Sequence, residues 1–335
     1  LCKWFAKKIG FNDSSGGIAA SGGTLSNLNA LIAARNNAGL GSNPNSVLLI
    51  SEDAHSSFIK CIRIMGLDAA NLVRIKTDNQ GRMDINNLRK SLNKCLIENK
   101  KIFAIVATLG TTVRGAIDPI KEISEICKER NIWLHIDGSI GGIFALSSIQ
   151  IEGLNNINQA NSITINPQKI IGITKTSSLL LVANMNTLQK TFSTGLPYIS
   201  SKEDIVNRGE IGIQGSRPAE VIKLWLGLRF LGLNGIEDIL KSSIKRKDFF
   251  IDHIVKNKFE IYSGPLHIVS FIPKGLTAKD TDFWTQTKVN ELMKNNYMLS
   301  RPKFKGKYYL RVVMGNYNTT DSHIEELLRF LDAYQ

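Results

Sequence analysis

The sequence lacks any long hydrophobic run. No apolar stretch approaches the ~20 consecutive residues that a membrane-spanning helix requires, so we expect no membrane segment. A secretory signal peptide is not visible either, because residues 1–5 are typical of the middle of an amphipathic helix. The chain does not begin with methionine, and we expect the complete protein to carry a further N-terminal segment.

Cysteine is also scarce, with four residues in a chain of 335 and no pair spaced as Cys-x-x-Cys. Scattered cysteines of this kind predict reduced thiols in the cytoplasm, and they predict neither a disulfide framework nor a zinc site. Cys61 and Cys127 lie in apolar helical patterns, and we expect them to fill the core.

Basic residues exceed acidic ones, 42 to 29, which gives a formal net charge of +13. The densest group is Arg301, Lys303, Lys305 and Lys307, whose alternation predicts one solvated face of a hairpin. The remaining basic residues are spread along the chain, so a general role in solubility is favoured, followed by a surface that attracts an anionic small molecule. A nucleic-acid-binding surface is the remote alternative, and we predict no nucleic-acid partner.

Apolar runs alternate with helical patterns through most of the chain, which predicts an α/β fold with a mainly parallel sheet covered by helices on both faces. Such a length usually forms two domains, here predicted as residues 1–239 and a small α+β domain of residues 240–335. Residues 11–23 are rich in Gly and Ser and are predicted as a loop, and residues 218–231 as a core helix. The predicted strands cover residues 46–51, 72–75, 102–108, 134–137, 162–166 and 177–183.

A glycine-rich stretch, Ser21-Gly22-Gly23-Thr24, leads into the helical pattern of residues 24–38. The free N–H groups at the start of a helix, together with the helix dipole, favour an anion such as a phosphate. Gly22, Gly23 and Thr24 are therefore candidate phosphate-binding residues. A plain helix cap, with Thr24 or Ser21 as the capping residue, is the alternative interpretation.

Two side chains of opposite charge follow two neighbouring apolar runs. Asp137 ends the run Leu134-His135-Ile136, and Lys169 follows the run of residues 162–166. A carboxylate and an amine that strands carry to one edge of a sheet can meet over a cofactor. A strand-end turn residue and a solvated lysine are the alternative interpretations.

Several ordered motifs together resemble the group II pyridoxal-phosphate-dependent amino-acid decarboxylases. In chain order they are Ser21-Gly22-Gly23-Thr24-Leu25-Ser26-Asn27, His55-Ser56-Ser57, Thr108-Leu109-Gly110-Thr111-Thr112, His135-Ile136-Asp137-Gly138-Ser139 and Asn166-Pro167-Gln168-Lys169. The resemblance implies the aspartate-aminotransferase fold (fold type I), with a seven-stranded sheet in the large domain. It also implies a homodimer with its active site at the interface.

The same resemblance implies a cofactor, pyridoxal 5′-phosphate, and a reaction that releases CO2 and an amine from an L-amino acid. Lys169 would form the Schiff base, and Asp137 would keep the pyridine nitrogen protonated. His55 would stack on the ring and take part in catalysis, and Tyr198 is the candidate proton donor. Further candidates are Thr108, Ser139 and Gln168 beside the cofactor, Ser216 at the phosphate across the dimer interface, and Arg311 at the substrate carboxylate.

Four positions depart from the family pattern: Leu25, Gly138, Ile140 and Gln168. Gln168 replaces a histidine; it can still donate a hydrogen bond but carries no charge. These departures leave two alternatives open, namely another fold-type-I lyase or transaminase, and a cofactor-binding homologue without catalytic activity. The sequence does not identify the amino-acid substrate.

Overall fold

The computed structural model describes residues 1–174, 177–195 and 207–332. The strands are β1 (Gly16–Ala20), β2 (Ser46–Ser51), β3 (Leu72–Ile75), β4 (Lys101–Thr108), β5 (Trp133–Gly138), β6 (Ser162–Ile165), β7 (Ser178–Val182), β8 (Phe259–Ser263), β9 (Ile268–Pro273), β10 (Lys303–Phe304), β11 (Lys307–Tyr308) and β12 (Leu310–Val313). The helices are α1 (Cys2–Lys8), α2 (Gly23–Asn37), α3 (Ser57–Ile64), α4 (Ile85–Ile97), α5 (Ile120–Arg130), α6 (Met185–Phe192), α7 (Val221–His253), α8 (Ala278–Lys294) and α9 (Asp321–Asp332). None of the helices in this described part of the chain is long and apolar enough to cross a membrane.

Seven strands form one sheet in the order β1-β7-β6-β5-β4-β2-β3. Strands β3, β2, β4, β5 and β6 pair in parallel, whereas β7 is antiparallel to both of its neighbours. The predicted α/β class with a mainly parallel seven-stranded sheet is therefore confirmed. Every residue of β2, β5, β6 and β7 is buried, because helices cover both faces of the sheet.

Strand β1 corrects the sequence prediction, which assigned residues 11–23 to a loop. Its residues are mostly buried and pair with β7 from Gly16 to Ala20. A Cβ at Gly17 would lie 2.1 Å from the carbonyl oxygen of Leu180, so only glycine permits this approach of the two strands. The glycines that suggested a loop thus serve close strand packing.

Helix α7 corrects a second prediction, that residues 218–231 form a core helix. The helix begins at Val221, and its first half exposes large apolar side chains, with Trp225 52% and Phe230 90% exposed. At Gly232 the backbone leaves helical geometry, with φ of 63°, and the helix continues in a new direction. The domain boundary predicted after residue 239 lies inside this helix and stays a prediction.

The C-terminal part forms a three-stranded antiparallel sheet in the order β12-β9-β8. Its own hydrophobic cluster includes Phe250, Phe271 and Trp284. Strands β10 and β11 form the hairpin that the alternating basic residues predicted, with Lys305 and Gly306 at positive φ in the turn.

Candidate active site

Most of the predicted site residues line one cavity of about 210 Å³ at the carboxyl ends of the parallel strands β4, β5 and β6. This is the edge where open α/β sheets bind ligands. The predicted residues that line the cavity are Gly23, Thr24, His55, Thr108, Asp137, Ser139 and Lys169.

Asp137 lies near the end of β5, and two donors hold its carboxylate. The backbone N–H of Ser139 donates to Oδ1 at 3.1 Å, and Nδ2 of Asn27 donates to Oδ2 at 3.2 Å. In register beside it lie Thr108 on β4 and Thr164 on β6. The carboxylate is buried, so these two hydrogen bonds offset part of the cost of removing it from water.

Lys169 ends a short 3-10 helix, Pro167–Lys169, that follows β6. The residue is exposed to solvent, and its side chain lines the cavity. Burial lowers the pKa of Lys169, the Asp137 carboxylate opposes this shift, and the Arg311 guanidinium adds to it. A lowered pKa increases the fraction of neutral amine, which is the nucleophilic form.

His55 lies in the turn between β2 and α3. The backbone N–H of Ser57 donates to its Nδ1 at 3.1 Å, so the neutral ring carries its proton on Nε2. Burial lowers the pKa of His55, Asp137 raises it, and the ammonium groups of Lys169 and Lys60 lower it further. The imidazole at the cavity is therefore largely neutral at neutral pH.

The predicted phosphate loop leads into α2, whose N-cap is Gly22 and whose first residue is Gly23. No acidic residue occupies the first turn of this helix, so its dipole and N–H groups remain available to an anion. A Cβ at Gly23 would lie 2.7 Å from Nδ2 of Asn166 and 2.9 Å from Oγ of Ser139. Gly23 thus leaves a space bordered by two polar groups.

Sequence reasoning missed three polar residues of the cavity, Asn27, Thr112 and Asn166. The Ser178 hydroxyl donates to Oδ1 of Asn166, and this contact turns Nδ2 of Asn166 toward Gly23. Asn166 directly precedes the Pro-Gln-Lys motif, and that position was the available signal. Asn27 lies on α2, one turn beyond Gly23, so helical spacing could have identified it.

Four predicted residues lie outside the lining of the cavity. Oε1 of Gln168 accepts a hydrogen bond from the Ser177 backbone N–H. Gly22 lies one residue before the lining residue Gly23, and Ser216 is exposed between β7 and α7. Arg311 on β12 donates from Nε to Oγ of Ser300 at 2.8 Å and from its other end to the carbonyl of Thr112, a lining residue. Tyr198 lies outside the described residues.

A larger cavity of about 940 Å³ lies between residues 78–86, residues 114–122 and residues 261–265. Among its lining residues, all within the described part of the chain, none is a predicted site residue. The smaller cavity is therefore the candidate functional site, because the amine, the carboxylate and the glycine loop meet only there among the described residues.

The residues of the smaller cavity fit pyridoxal 5′-phosphate. Within the described chain, Oγ1 of Thr108 is buried without a hydrogen-bond partner, and the space at Gly23 is bordered by amide and hydroxyl groups. A ligand that offers polar groups to Thr108 and an anion to the α2 N-terminus would satisfy both.

Comparison with known proteins agrees with this fit. The aromatic-L-amino-acid decarboxylase of Bacillus atrophaeus is 31% identical over 98% of this chain and 71% of its own length. Acidic amino acid decarboxylase GADL1 of Mus musculus is 28% identical over 97% of this chain and 64% of its own length. The L-aspartate decarboxylase dtxS4 of Metarhizium robertsii is 30% identical over 98% of this chain and 69% of its own length. The chain thus spans about two thirds of the length of these relatives.

Solved structures show the same fold. Mouse CSAD superposes with a TM-score of 0.89 and 26% identity, over 99% of this chain and 74% of that chain. Oryza sativa TDC with PLP and tryptamine superposes with a TM-score of 0.90 at 20% identity, over 99% and 75% of the two chains, which is a likeness of fold alone. The family described as the pyridoxal-dependent decarboxylase conserved domain matches residues 1–272. The chain therefore belongs to the pyridoxal-dependent decarboxylases, carboxy-lyases whose cofactor is pyridoxal 5′-phosphate.

Proposed function

We propose that this chain decarboxylates an L-amino acid to the amine and CO2, with the cofactor attached to Lys169. The observation that carries the proposal is that Lys169 and Asp137, 32 positions apart in the sequence, line the same cavity. When bound, pyridoxal 5′-phosphate would supply an electrophilic aldehyde for an amine and an electron-withdrawing ring for the charge that the departing CO2 leaves on the α-carbon.

The chain supplies the charges that this cofactor requires. Lys169 offers an amine whose lowered pKa favours the neutral form. Asp137 offers a carboxylate that Asn27 and Ser139 hold in place for the ring nitrogen. The N-terminus of α2, with Thr24, would hold the phosphate, and Asn166 would donate to it through Nδ2.

Two further side chains, His55 and Arg311, would act on the substrate. His55 carries its proton on Nε2 and can face the ring or exchange a proton at the cavity. Arg311, whose guanidinium is anchored by Ser300 and Thr112, would attract the substrate carboxylate, and a guanidinium binds carboxylates with two parallel hydrogen bonds. Gln168 and Tyr198 keep their predicted roles as proposals; because Oε1 of Gln168 accepts from the Ser177 N–H, Nε2 is the atom through which Gln168 would donate to the cofactor.

The substrate class is proposed from the names of the relatives, which are aromatic and acidic amino-acid decarboxylases. The purified chain, loaded with pyridoxal 5′-phosphate, is assayed for CO2 release and amine formation from each aromatic and acidic amino acid. Lys169→Ala is the matched control. Release of CO2 with a stoichiometric amine from one of these substrates supports the proposal. A keto acid or an aldehyde instead would indicate a transaminase or a different lyase, and no product from any amino acid would indicate a non-catalytic homologue.

We further propose a homodimer in the cytoplasm. The exposed apolar side chains of α7, among them Trp225, Leu226 and Phe230, support a protein interface. Ser216 precedes this helix and is exposed, so it is available to a second protomer. All four cysteines are free thiols, which supports a reducing compartment. Light scattering coupled to size-exclusion chromatography should give twice the mass of one protomer. The variant Phe230→Asp should reduce the measured mass to that of a single protomer.

A further inference from the structure

Strand β5 carries a polar residue at every second position on one face: Trp133, His135 and Asp137. Alternate residues of a strand point to the same side of a sheet. All three are buried, and helix α2 covers this face, with Asn27 contacting both His135 and Asp137. Three buried polar side chains in a row require partners, and the partners form one connected series.

We name this series the Trp133 network; its members are Trp133, Ser162, His135, Asn27 and Asp137. Nε1 of Trp133 donates to Oγ of Ser162 at 2.8 Å, and this hydroxyl lies 2.8 Å from Nδ1 of His135. Nε2 of His135 lies 3.1 Å from Oδ1 of Asn27, and Nδ2 of Asn27 lies 3.2 Å from the Asp137 carboxylate.

The two ends of the network determine the direction of every hydrogen bond. The indole of Trp133 can only donate, and an ionised carboxylate can only accept. If Ser162 accepts from the indole and donates its own hydrogen to Nδ1, the proton of the neutral imidazole lies on Nε2. That proton is donated to Oδ1 of Asn27, and the Asn27 amide is then oriented with its N–H group toward Asp137.

The opposite arrangement would leave groups unpaired. With the proton on Nδ1 of His135, the Nε2 lone pair would face a lone pair of Asn27 Oδ1. A rotation of the Asn27 amide would remove that conflict but would direct Oδ1 at the Asp137 carboxylate, where two acceptors repel each other. The observed distances therefore favour one direction of donation, in which every donor hydrogen of the network points toward Asp137.

We propose that the Trp133 network positions the Asp137 carboxylate and stabilises its negative charge for the ring nitrogen of the cofactor. Trp133, Ser162 and His135 are then positioning residues, since they act on the cofactor through Asp137 and do not line the cavity. Burial lowers the pKa of His135 to about 4, so the imidazole stays neutral and its tautomer is the variable that matters. This inference rests on the proposed function, because it needs a cofactor with a basic ring nitrogen.

The first test uses the purified chain without cofactor. Nitrogen-15 NMR distinguishes protonated from unprotonated ring nitrogens of histidine. We expect His135 at neutral pH to show an unprotonated Nδ1 and a protonated Nε2. A proton on Nδ1 would reverse the series and overturn the inference, whatever the chain does with a cofactor.

The second test compares two ligands that differ in one ring atom: pyridoxal 5′-phosphate and its deaza analogue, which has carbon in place of the ring nitrogen. Ser162→Ala removes the hydroxyl that connects Trp133 to His135. We expect it to raise the dissociation constant for pyridoxal 5′-phosphate about tenfold, the size expected for a weakened hydrogen bond to a charged group. Binding of the deaza analogue, which has no partner for Asp137, should not change.

Trp133→Phe is a second variant that keeps an aromatic ring but removes the N–H donor together with part of the ring volume. Because Trp133 is one hydrogen bond further from Asp137 than Ser162 is, we expect a smaller effect in the same direction. Ser243→Ala is the matched control, because Ser243 is a buried serine of α7 whose hydroxyl donates to the Leu240 carbonyl at 2.6 Å. The control should bind both ligands as the unmodified chain does.

The outcomes separate this inference from the proposed function. Equal weakening of both ligands by Ser162→Ala would mean a purely structural role and would overturn the network, as would no weakening of either ligand. If the unmodified chain binds neither ligand, the cofactor assignment itself fails, and the inference fails with it. Selective weakening of pyridoxal 5′-phosphate alone supports it.

Discussion

The space at Gly23 gives the sharpest prediction about the phosphate end of the cavity. In Gly23→Ala, the new Cβ would lie 2.7 Å from Nδ2 of Asn166 and 2.9 Å from Oγ of Ser139. Neither contact is tolerable, so both polar groups must move. Asn166 cannot move freely, because its Oδ1 accepts a hydrogen bond from the Ser178 hydroxyl. The methyl group would therefore displace the amide that we propose as a phosphate donor.

The magnitude follows from the loss of one hydrogen bond to a charged group. Such a bond contributes about 1.5–3 kcal/mol, which corresponds to a dissociation constant for pyridoxal 5′-phosphate raised about 10- to 150-fold. The fold should be preserved, because alanine replaces glycine at the first residue of α2 and has the higher helix propensity. Thermal unfolding of the chain without cofactor checks this second expectation.

The neighbouring glycine provides the comparison. A Cβ at Gly22 would meet no described atom within 4 Å, and its φ of 167° is extended backbone that alanine adopts readily. Gly22→Ala keeps the backbone N–H and should change the dissociation constant far less than Gly23→Ala does. Titration of each variant with pyridoxal 5′-phosphate, followed by absorbance, measures both constants. Equal affinities for the two variants would refute the assignment of Gly23, Asn166 and Ser139 to the phosphate.

Three further predictions concern charged groups. Lys169→Ala should remove the cofactor mass that borohydride reduction fixes to the unmodified chain; a variant that retains this mass in mass spectrometry would exclude Lys169 as the attachment point. Because burial and Arg311 lower the pKa of Lys169, the rate of cofactor attachment should rise with pH through this lowered pKa and level off below about 10.4, the ordinary value. Between the lowered pKa and the ordinary value, the free energy of unfolding should also rise with pH, because the unfolded state binds more protons there than the folded state does. Arg311→Gln should move the pH profile of the attachment rate to higher pH. An unmoved profile would contradict the role of Arg311. Arg114→Leu should lower the free energy of unfolding in urea by about 3–5 kcal/mol, because it leaves the buried Asp53 carboxylate, now 2.7 Å from the guanidinium, without its partner. Lys256→Leu, which removes an exposed ion pair with Asp252, is its control and should cost no more than about 1 kcal/mol.

The central strands of the sheet were predictable because they are buried on both faces. Such strands are near-continuous apolar runs, and the predicted bounds of β2, β4, β6 and β7 agree with the structure to within one residue. Strand β1 was not predictable in this way. Its glycines favour a loop when read locally, and the reason for them, the approach of the Leu180 carbonyl to Gly17, lies more than 160 positions away in the chain.

Helix α7 shows a different limit. Its apolar residues indicated a core helix, but Trp225 and Phe230 face outward from the described chain. An apolar helix face indicates that the face is buried, but it does not indicate whether the surface that buries it belongs to the same molecule or to a partner. For this reason the sequence pattern alone could not distinguish a core helix from the protein interface that we propose.

For the site, the ends of the parallel strands were informative, because topology brings them to one edge of the sheet. Asp137 and Lys169 were found by this rule, Thr108 was implied by the family resemblance, and all three line the cavity. Asn27 could not be found from its partner Asp137, which is 110 positions away; the only available signal was its helical spacing from Gly23 on α2. The alternation of Trp133, His135 and Asp137 within a buried strand was nevertheless a signal, because polar residues on one face of such a strand require partners from another element.

The distribution of charge in the cavity restricts the ligand more than its size does. In the proposed site, Asp137 and its two donors would accept a protonated nitrogen, while the start of α2 would accept an anion. Lys169 lines the same cavity and supplies an amine with a lowered pKa. A purely anionic ligand would bind the start of α2 but leave the buried Asp137 carboxylate without a cation, and an unpaired buried charge costs several kcal/mol. A purely cationic ligand would pair with Asp137 but leave the start of α2 without an anion. A compact molecule with a cationic ring nitrogen, an anionic phosphate and an electrophilic carbon satisfies all three groups at once, and this requirement, more than any single residue, supports pyridoxal 5′-phosphate as the ligand of this cavity.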